Sequence, residues 1–131
     1  MRIRTRSASA VVGLMLAAGL LVLGAGSASA NYTDCPSSYA CMWTSNNYPG
    51  SPNAYYATAI VLSSSSNLIN SISNNGNYSI ARFYDASNYT GAYITLNNPA
   101  RGGQTRDPNL SSGTDATSSN WSNRISSANF A

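Results

Sequence analysis

Beyond residue 38 the chain alternates short runs of β-forming residues with polar punctuation. The runs are 39–43, 55–62, 69–73, 80–84, 92–96 and 124–128, each rich in Tyr, Ile, Val, Phe or Trp and bounded by Asn, Ser, Gly or Pro. They predict six strands, and two further strands, short and polar, are expected to escape this pattern. The polar stretches 63–66 and 111–120 predict loops or edges. Helices would need far more Ala, Leu, Glu and Lys than the chain beyond its first thirty residues contains, so the fold class is all-β.

The strands are organised by a repeated phrase. Trp43-Thr44-Ser45-Asn46-Asn47-Tyr48-Pro49-Gly50 and Tyr84-Asp85-Ala86-Ser87-Asn88-Tyr89-Thr90-Gly91 both read aromatic-x-x-x-Asn-Tyr-x-Gly. A strand-end aromatic, turn-prone residues, a second aromatic and a glycine predict a folded hairpin corner with two stacked rings. Trp43, Tyr48, Tyr84 and Tyr89 are accordingly packing residues, and Gly50 and Gly91 relieve the backbone. A second phrase follows each corner, Ser66-Asn67-Leu68-Ile69-Asn70-Ser71 and Ser122-Asn123-Arg124-Ile125-Ser126-Ser127. The order of corner and closing motif therefore occurs twice, an internal duplication. It divides residues 31–131, a single domain, into a first unit of 31–77 and a second of 78–131. Because Trp43 and Tyr84 hold the same site in the two copies, their truncation is expected to cost similar, large amounts of stability.

Residues 1–30 read as a leader: Arg2, Arg4 and Arg6, then an apolar run from Val11 to Leu23, then Ala28-Ser29-Ala30 as a small-residue cleavage site. Export with cleavage after Ala30 is expected, and no membrane association after it. The leader changes the charge. The net +3 of the 131 residues comes from its three arginines, leaving Arg82, Arg101, Arg106 and Arg124 against Asp34, Asp85, Asp107 and Asp115, 4 − 4 = 0. A neutral chain without lysine offers no electrostatic footprint for nucleic acid. Beyond the leader there is also no His and no Glu, so acid-base catalysis lacks parts and the many serines lack an activating base. An enzyme is not expected. Cys35 and Cys41 are the only cysteines, and in an exported chain a disulfide is the expected state.

The corner phrase followed by x-x-Ile-(Asn/Ser)-Ser resembles the paired Greek-key signature of βγ-crystallin domains. More narrowly, Cys35 to Trp43, the corners at Asn47 to Gly50 and Asn88 to Gly91, and Trp121 to Ser127 resemble the secreted bacterial βγ-crystallin-like peptidase inhibitors, the microbial metalloproteinase inhibitor family. The resemblance implies two four-stranded Greek keys packed as one sandwich, each corner folded against a closing Ser motif. It also implies a monomeric inhibitor that binds an extracellular metalloprotease without covalent chemistry. The alternative it offers is a calcium-binding structural or toxin-like module.

Calcium sites of βγ-crystallin type need Asn/Asp-Asn/Asp at the head of the closing motif, and here Ser66 and Ser122 hold the first position. Asn67, Asn123 and Ser126 remain as neutral oxygen donors, so weak or absent calcium binding is expected. For inhibition the resemblance carries no contact residue over. The residues themselves point to the second copy, which has about fifteen additional residues between corner and closing motif, mostly within 97–120. Such a loop is commonly functional, with Arg101, Arg106 and Asp107 as its main charges. Since the first copy closes without it, shortening it is expected to preserve the fold.

Overall fold

The computed structural model describes residues 31–77, 80–111 and 116–131; the leader and Asp115 lie outside them. Eight strands form two four-stranded antiparallel sheets: β1 (Ala40–Trp43), β2 (Ala54–Tyr56), β3 (Ala59–Val61), β4 (Ser71–Asn74), β5 (Ala81–Tyr84), β6 (Tyr93–Leu96), β7 (Arg106–Asp107) and β8 (Ser127–Phe130). The first sheet has the order β2-β1-β4-β7 and the second β3-β8-β5-β6. Each half of the chain thus contributes three strands to one sheet and one to the other.

The core lies between the sheets, where alternate residues of each strand point inward. Met42 and Ile72 from the first sheet meet Phe83, Leu96 and Ala128 from the second, with Ile69, Leu110 and Ile125 filling the ends. Tyr56 sits among them, donating its hydroxyl to the Asn129 carbonyl at 3.2 Å. Burial, with Tyr84 beside it, pushes the Tyr56 phenol well above its ordinary range. The unfolded chain ionises Tyr56 above about pH 10 whereas the folded chain does not. Stability is therefore full below that pH and falls as pH rises above it, by up to about 1.4 kcal/mol per unit for this group. Urea midpoints measured between pH 9 and 11 should fall less steeply in Tyr56→Phe than in the parent. Equal slopes would show that the phenol ionises alike in both states.

Both corners form as the repeat predicts. Asn47 and Tyr48 in the first, and Asn88 and Tyr89 in the second, have positive φ between 54° and 63°, followed by Gly50 at 65° and Gly91 at 81°. Gly50 is required by its backbone alone, whereas a Cβ at Gly91 would also collide with the Asp85 carboxylate. The closing serines lock the corners in the same way. Ser71 Oγ accepts from Tyr48 N and donates to the Ser45 carbonyl; Ser127 Oγ accepts from Tyr89 N and donates to the Ala86 carbonyl. The rings meet edge to face, Trp43 with Tyr48 at 5.2 Å and Tyr84 with Tyr89 at 6.3 Å.

The surroundings of the corners differ. Residues 31–39 fold across the outer face of the first sheet, joined to it by the Cys35–Cys41 disulfide. This cover buries Cys35, Cys41, Trp43 and Tyr48 as a second small core with Tyr39 packed against it. Asn31 N donates to the Tyr48 carbonyl and Asn75 Nδ2 to the Cys35 carbonyl, which pins the cover at both ends. The second corner is braced instead by an ion pair, Arg124 to Asp85 at 2.9 Å.

Three strand expectations change. The run 55–62 is two strands, because the chain crosses between sheets at Ala57-Thr58: β2 pairs with β1, and β3 with β8. The last strand lies at Ser127–Phe130 rather than 124–128, since Asn123 takes a left-handed conformation and the residues after it complete the closing motif. Finally, β7 lies inside the 97–120 insertion, where Asp107 stands opposite Ile72 and Arg106 opposite Ser73. Shortening the insertion to the length of the first copy would remove an edge strand and the fully buried Leu110, so it would not preserve the fold.

Candidate functional site

The closing motifs come together about a pseudo-twofold relation. Asn67 N donates to the Ile125 carbonyl and Asn123 N to the Ile69 carbonyl, both at 2.9 Å, with both asparagines left-handed. Their side chains meet the other motif. Ser126 Oγ donates to Asn67 Oδ1 at 3.1 Å and accepts from Ser66 Oγ at 3.0 Å. In the mate of this cluster, Asn70 Nδ2 donates to Asn123 Oδ1 at 3.0 Å, and Ser122 Oγ to Asn70 Oδ1.

The three candidate calcium donors are thus split between two neutral clusters, each closed by its own hydrogen bonds. A cation would have to displace those bonds without gaining a carboxylate, and no group of three His, Cys, Asp or Glu side chains converges among the described residues. The donor set fits calcium poorly. Addition of 1 mM Ca²⁺ is expected to move the thermal midpoint by no more than about 3 °C, since a dissociation constant near 1 mM gives only about 0.4 kcal/mol. A larger rise at micromolar Ca²⁺, followed by scanning calorimetry, would contradict this fit.

The insertion begins with a self-closed loop at 97–104. Asn97 N donates to the Gln104 carbonyl at 2.7 Å, and Asn97 Nδ2 to the Gly102 carbonyl at 3.0 Å. Within it Pro99–Arg101 forms a 3-10 turn, capped by Asn98 Oδ1 accepting from Ala100 N at 2.7 Å. Asn98 is itself buried, and its Nδ2 donates to the Gly76 carbonyl. The loop is therefore rooted in the fold while residues 99–104 are exposed. Arg101 is the longest side chain at this tip.

Arg106 and Asp107 have separate fates. Asp107, expected as a contact charge, is fully buried: Oδ1 accepts from Asn109 N at 2.9 Å and Oδ2 from Ala116 N at 3.0 Å. It folds the second part of the insertion and does not reach the surface, because β7 places it opposite the core residue Ile72. Arg106, one residue away, points to the opposite face as strand alternation requires. Its guanidinium lies 3.8 Å over the Tyr32 ring and is exposed.

Between Tyr32-Thr33 of the cover and Pro99, Thr105 and Arg106 of the insertion runs a cleft of about 310 Å³ with Ser73 among its lining residues. Arg101 and Arg106 thus flank one continuous surface, while Trp43, Tyr48, Tyr84, Gly50 and Gly91 are structural. Ser73 and Tyr32 carry no chemical signature in the sequence. They become neighbours of Arg106 only through strand register and the fold of the cover.

The sequence model of peptidase inhibitor family I36 matches residues 28–96, more than half of the chain. No curated protein matches the sequence. Among solved structures, a βγ-crystallin from Ciona intestinalis superposes with a TM-score of 0.53 at 12% identity, covering 71% of this chain and 99% of the other. A βγ-crystallin from an archaeon gives 0.52 at 18% identity, covering 73% and 100%. These likenesses show the fold, a βγ-crystallin-type double Greek key. The family match adds the role, so the chain belongs to peptidase inhibitor family I36, with a peptidase as partner and no catalysis of its own.

Proposed function

We propose that the chain is exported after cleavage behind Ala30 and, as a monomer, inhibits an extracellular metalloprotease by non-covalent surface binding through the 97–104 loop. Support for the target class comes from the resemblance of the disulfide segment, corners and closing motifs to secreted metalloprotease inhibitors. The observation that carries the contact site is the loop itself. An inhibitor must present a segment that is ordered before binding, so that little entropy is lost, and that is not cut. Peptidases bind extended substrates, whereas 99–101 is held in a 3-10 turn and Gly102 and Gly103 have positive φ. The loop offers a side chain, Arg101, without offering an extended strand.

Stoichiometric titration of a secreted metalloprotease should reach full inhibition at one equivalent. Arg101→Glu should weaken it at least about tenfold, or 1.4 kcal/mol, in a protein that remains folded by circular dichroism, because the side chain is exposed. Unchanged inhibition would move the contact surface away from the loop. The calcium-module reading has less support, since the closing motifs spend their oxygens on one another.

A further inference from the structure

We propose that the cleft beside the 97–104 loop is a carboxylate-binding subsite, which receives an aspartate or glutamate side chain of the target peptidase. The proposal rests on the reading of that loop as the contact surface and names what the adjoining surface recognises.

Three observations converge on the cleft. First, Arg106 lies over the Tyr32 ring with no ion pair among the described residues, so its guanidinium is oriented but not neutralised. A stacked guanidinium keeps its outward N–H fork for a bidentate carboxylate. Second, Ser73 stands directly opposite Arg106 in the β4–β7 pair, which places the two side chains on one face about 5 Å apart at Cβ. Ser73 is buried over most of its surface and lines the cleft. A hydroxyl in the lining of a cleft can donate to a ligand oxygen placed there.

Third, the cleft is continuous with the loop. Pro99 begins the 3-10 turn that presents Arg101 and also lines the cleft, so a partner resting on the loop lies over Arg106 as well. Of the nearby carboxylates, Asp107 is turned into the fold and Asp34, in the turn that carries Tyr32, forms no ion pair with Arg106, while Arg101 and Arg106 are exposed. A volume near 310 Å³ admits a side chain or two rather than a folded element. An acidic side chain on a convex part of the peptidase fits this chemistry, with Arg106 donating to both carboxylate oxygens and Ser73 donating to one.

Two arms test the proposal. In the first, the protein alone is titrated with N-acetyl-glutamate α-methylamide, whose one carboxylate is the side chain's, while the Ser73 amide and Arg106 Nε signals are followed by NMR. Saturable shifts of the Ser73 amide in the millimolar range are expected, absent with N-acetyl-glutamine α-methylamide, which has no carboxylate, and absent in Arg106→Gln. No saturable shift, or equal shifts in Arg106→Gln, would overturn the subsite. In the second, inhibition by Arg106→Gln should be about tenfold weaker than that of the parent and Arg106→Lys about threefold weaker, reflecting loss of the charge and of the fork respectively. Inhibition by Arg106→Gln equal to the parent's would overturn the peptidase as occupant. Should the parent inhibit no metalloprotease tested while N-acetyl-glutamate α-methylamide binds at Arg106, the inhibitor reading fails and the carboxylate chemistry of the cleft stands.

Discussion

Trp43→Ala should lower the unfolding free energy by about 3–5 kcal/mol, and Tyr84→Ala by distinctly less, about 2–3 kcal/mol. The duplication in the sequence suggests equal costs; the structure separates them. Trp43 is fully buried beneath the disulfide-bonded cover, stacked on Tyr48, with its Nε1 donating to the Gly50 carbonyl at 2.9 Å. Its removal leaves a cavity, strands the glycine carbonyl and loosens the corner and the cover together. Tyr84 occupies the matching position on the outer face of the second sheet, where none of the described terminal residues forms a cover like that of 31–39. Its ring contacts Tyr89, which is 38% exposed, and Tyr93, which is 50% exposed, and its hydroxyl donates to Asn129 Oδ1 at 3.2 Å in a partly buried place. Urea denaturation of both variants decides the matter, and equal losses would mean that the cover adds nothing to the first corner.

Asp107→Ala should cost about 3 kcal/mol, although the residue reads in the sequence as a loop charge. Its two oxygens each accept one backbone N–H, and both amides belong to the insertion, one on either side of the 112–115 segment. Bonds to a charged acceptor are worth about 1.5–3 kcal/mol, and alanine removes two of them in a fully buried place. Asp107→Asn keeps one acceptor but turns an amide donor toward an N–H, so an intermediate loss of about 1–2 kcal/mol is expected. Chemical denaturation would measure both, and a loss below about 0.5 kcal/mol for the alanine variant would show the carboxylate to be solvated.

The contrast between these residues shows what the sequence could reveal. The corners were legible because turn chemistry is local: Asn-Tyr-x-Gly specifies left-handed residues within four positions, and the duplication repeats the message. That the closing serines fold against the corners came from the family resemblance, since each bonds a corner amide more than twenty positions earlier. Strand β7 was not, since two residues cannot display a period, and its pairing depends on β4, more than thirty positions earlier. The break between β2 and β3 escaped because no Gly or Pro marks it; a change of sheet rather than a turn separates them. The cleft was beyond reach, because it unites Tyr32, Ser73 and Arg106 through register and a folded-back terminus. Arg101 and Arg106 stood out by charge alone, which could not say that their neighbour Asp107 faces the other way.

The exchange of one strand between the halves sets an order of events during synthesis. Strand β8 is the last to be made, yet it occupies the interior of the second sheet, between β3 and β5. The first sheet likewise waits for β7, and β3 has no partner until β8 arrives. Neither half can complete its hydrogen bonding before the other has been made, and the β3–β8 and β5–β8 pairs of the second sheet wait for the last strand. The second sheet of such a chain stays open at its centre until the last strand inserts, so its closure is the final event of folding.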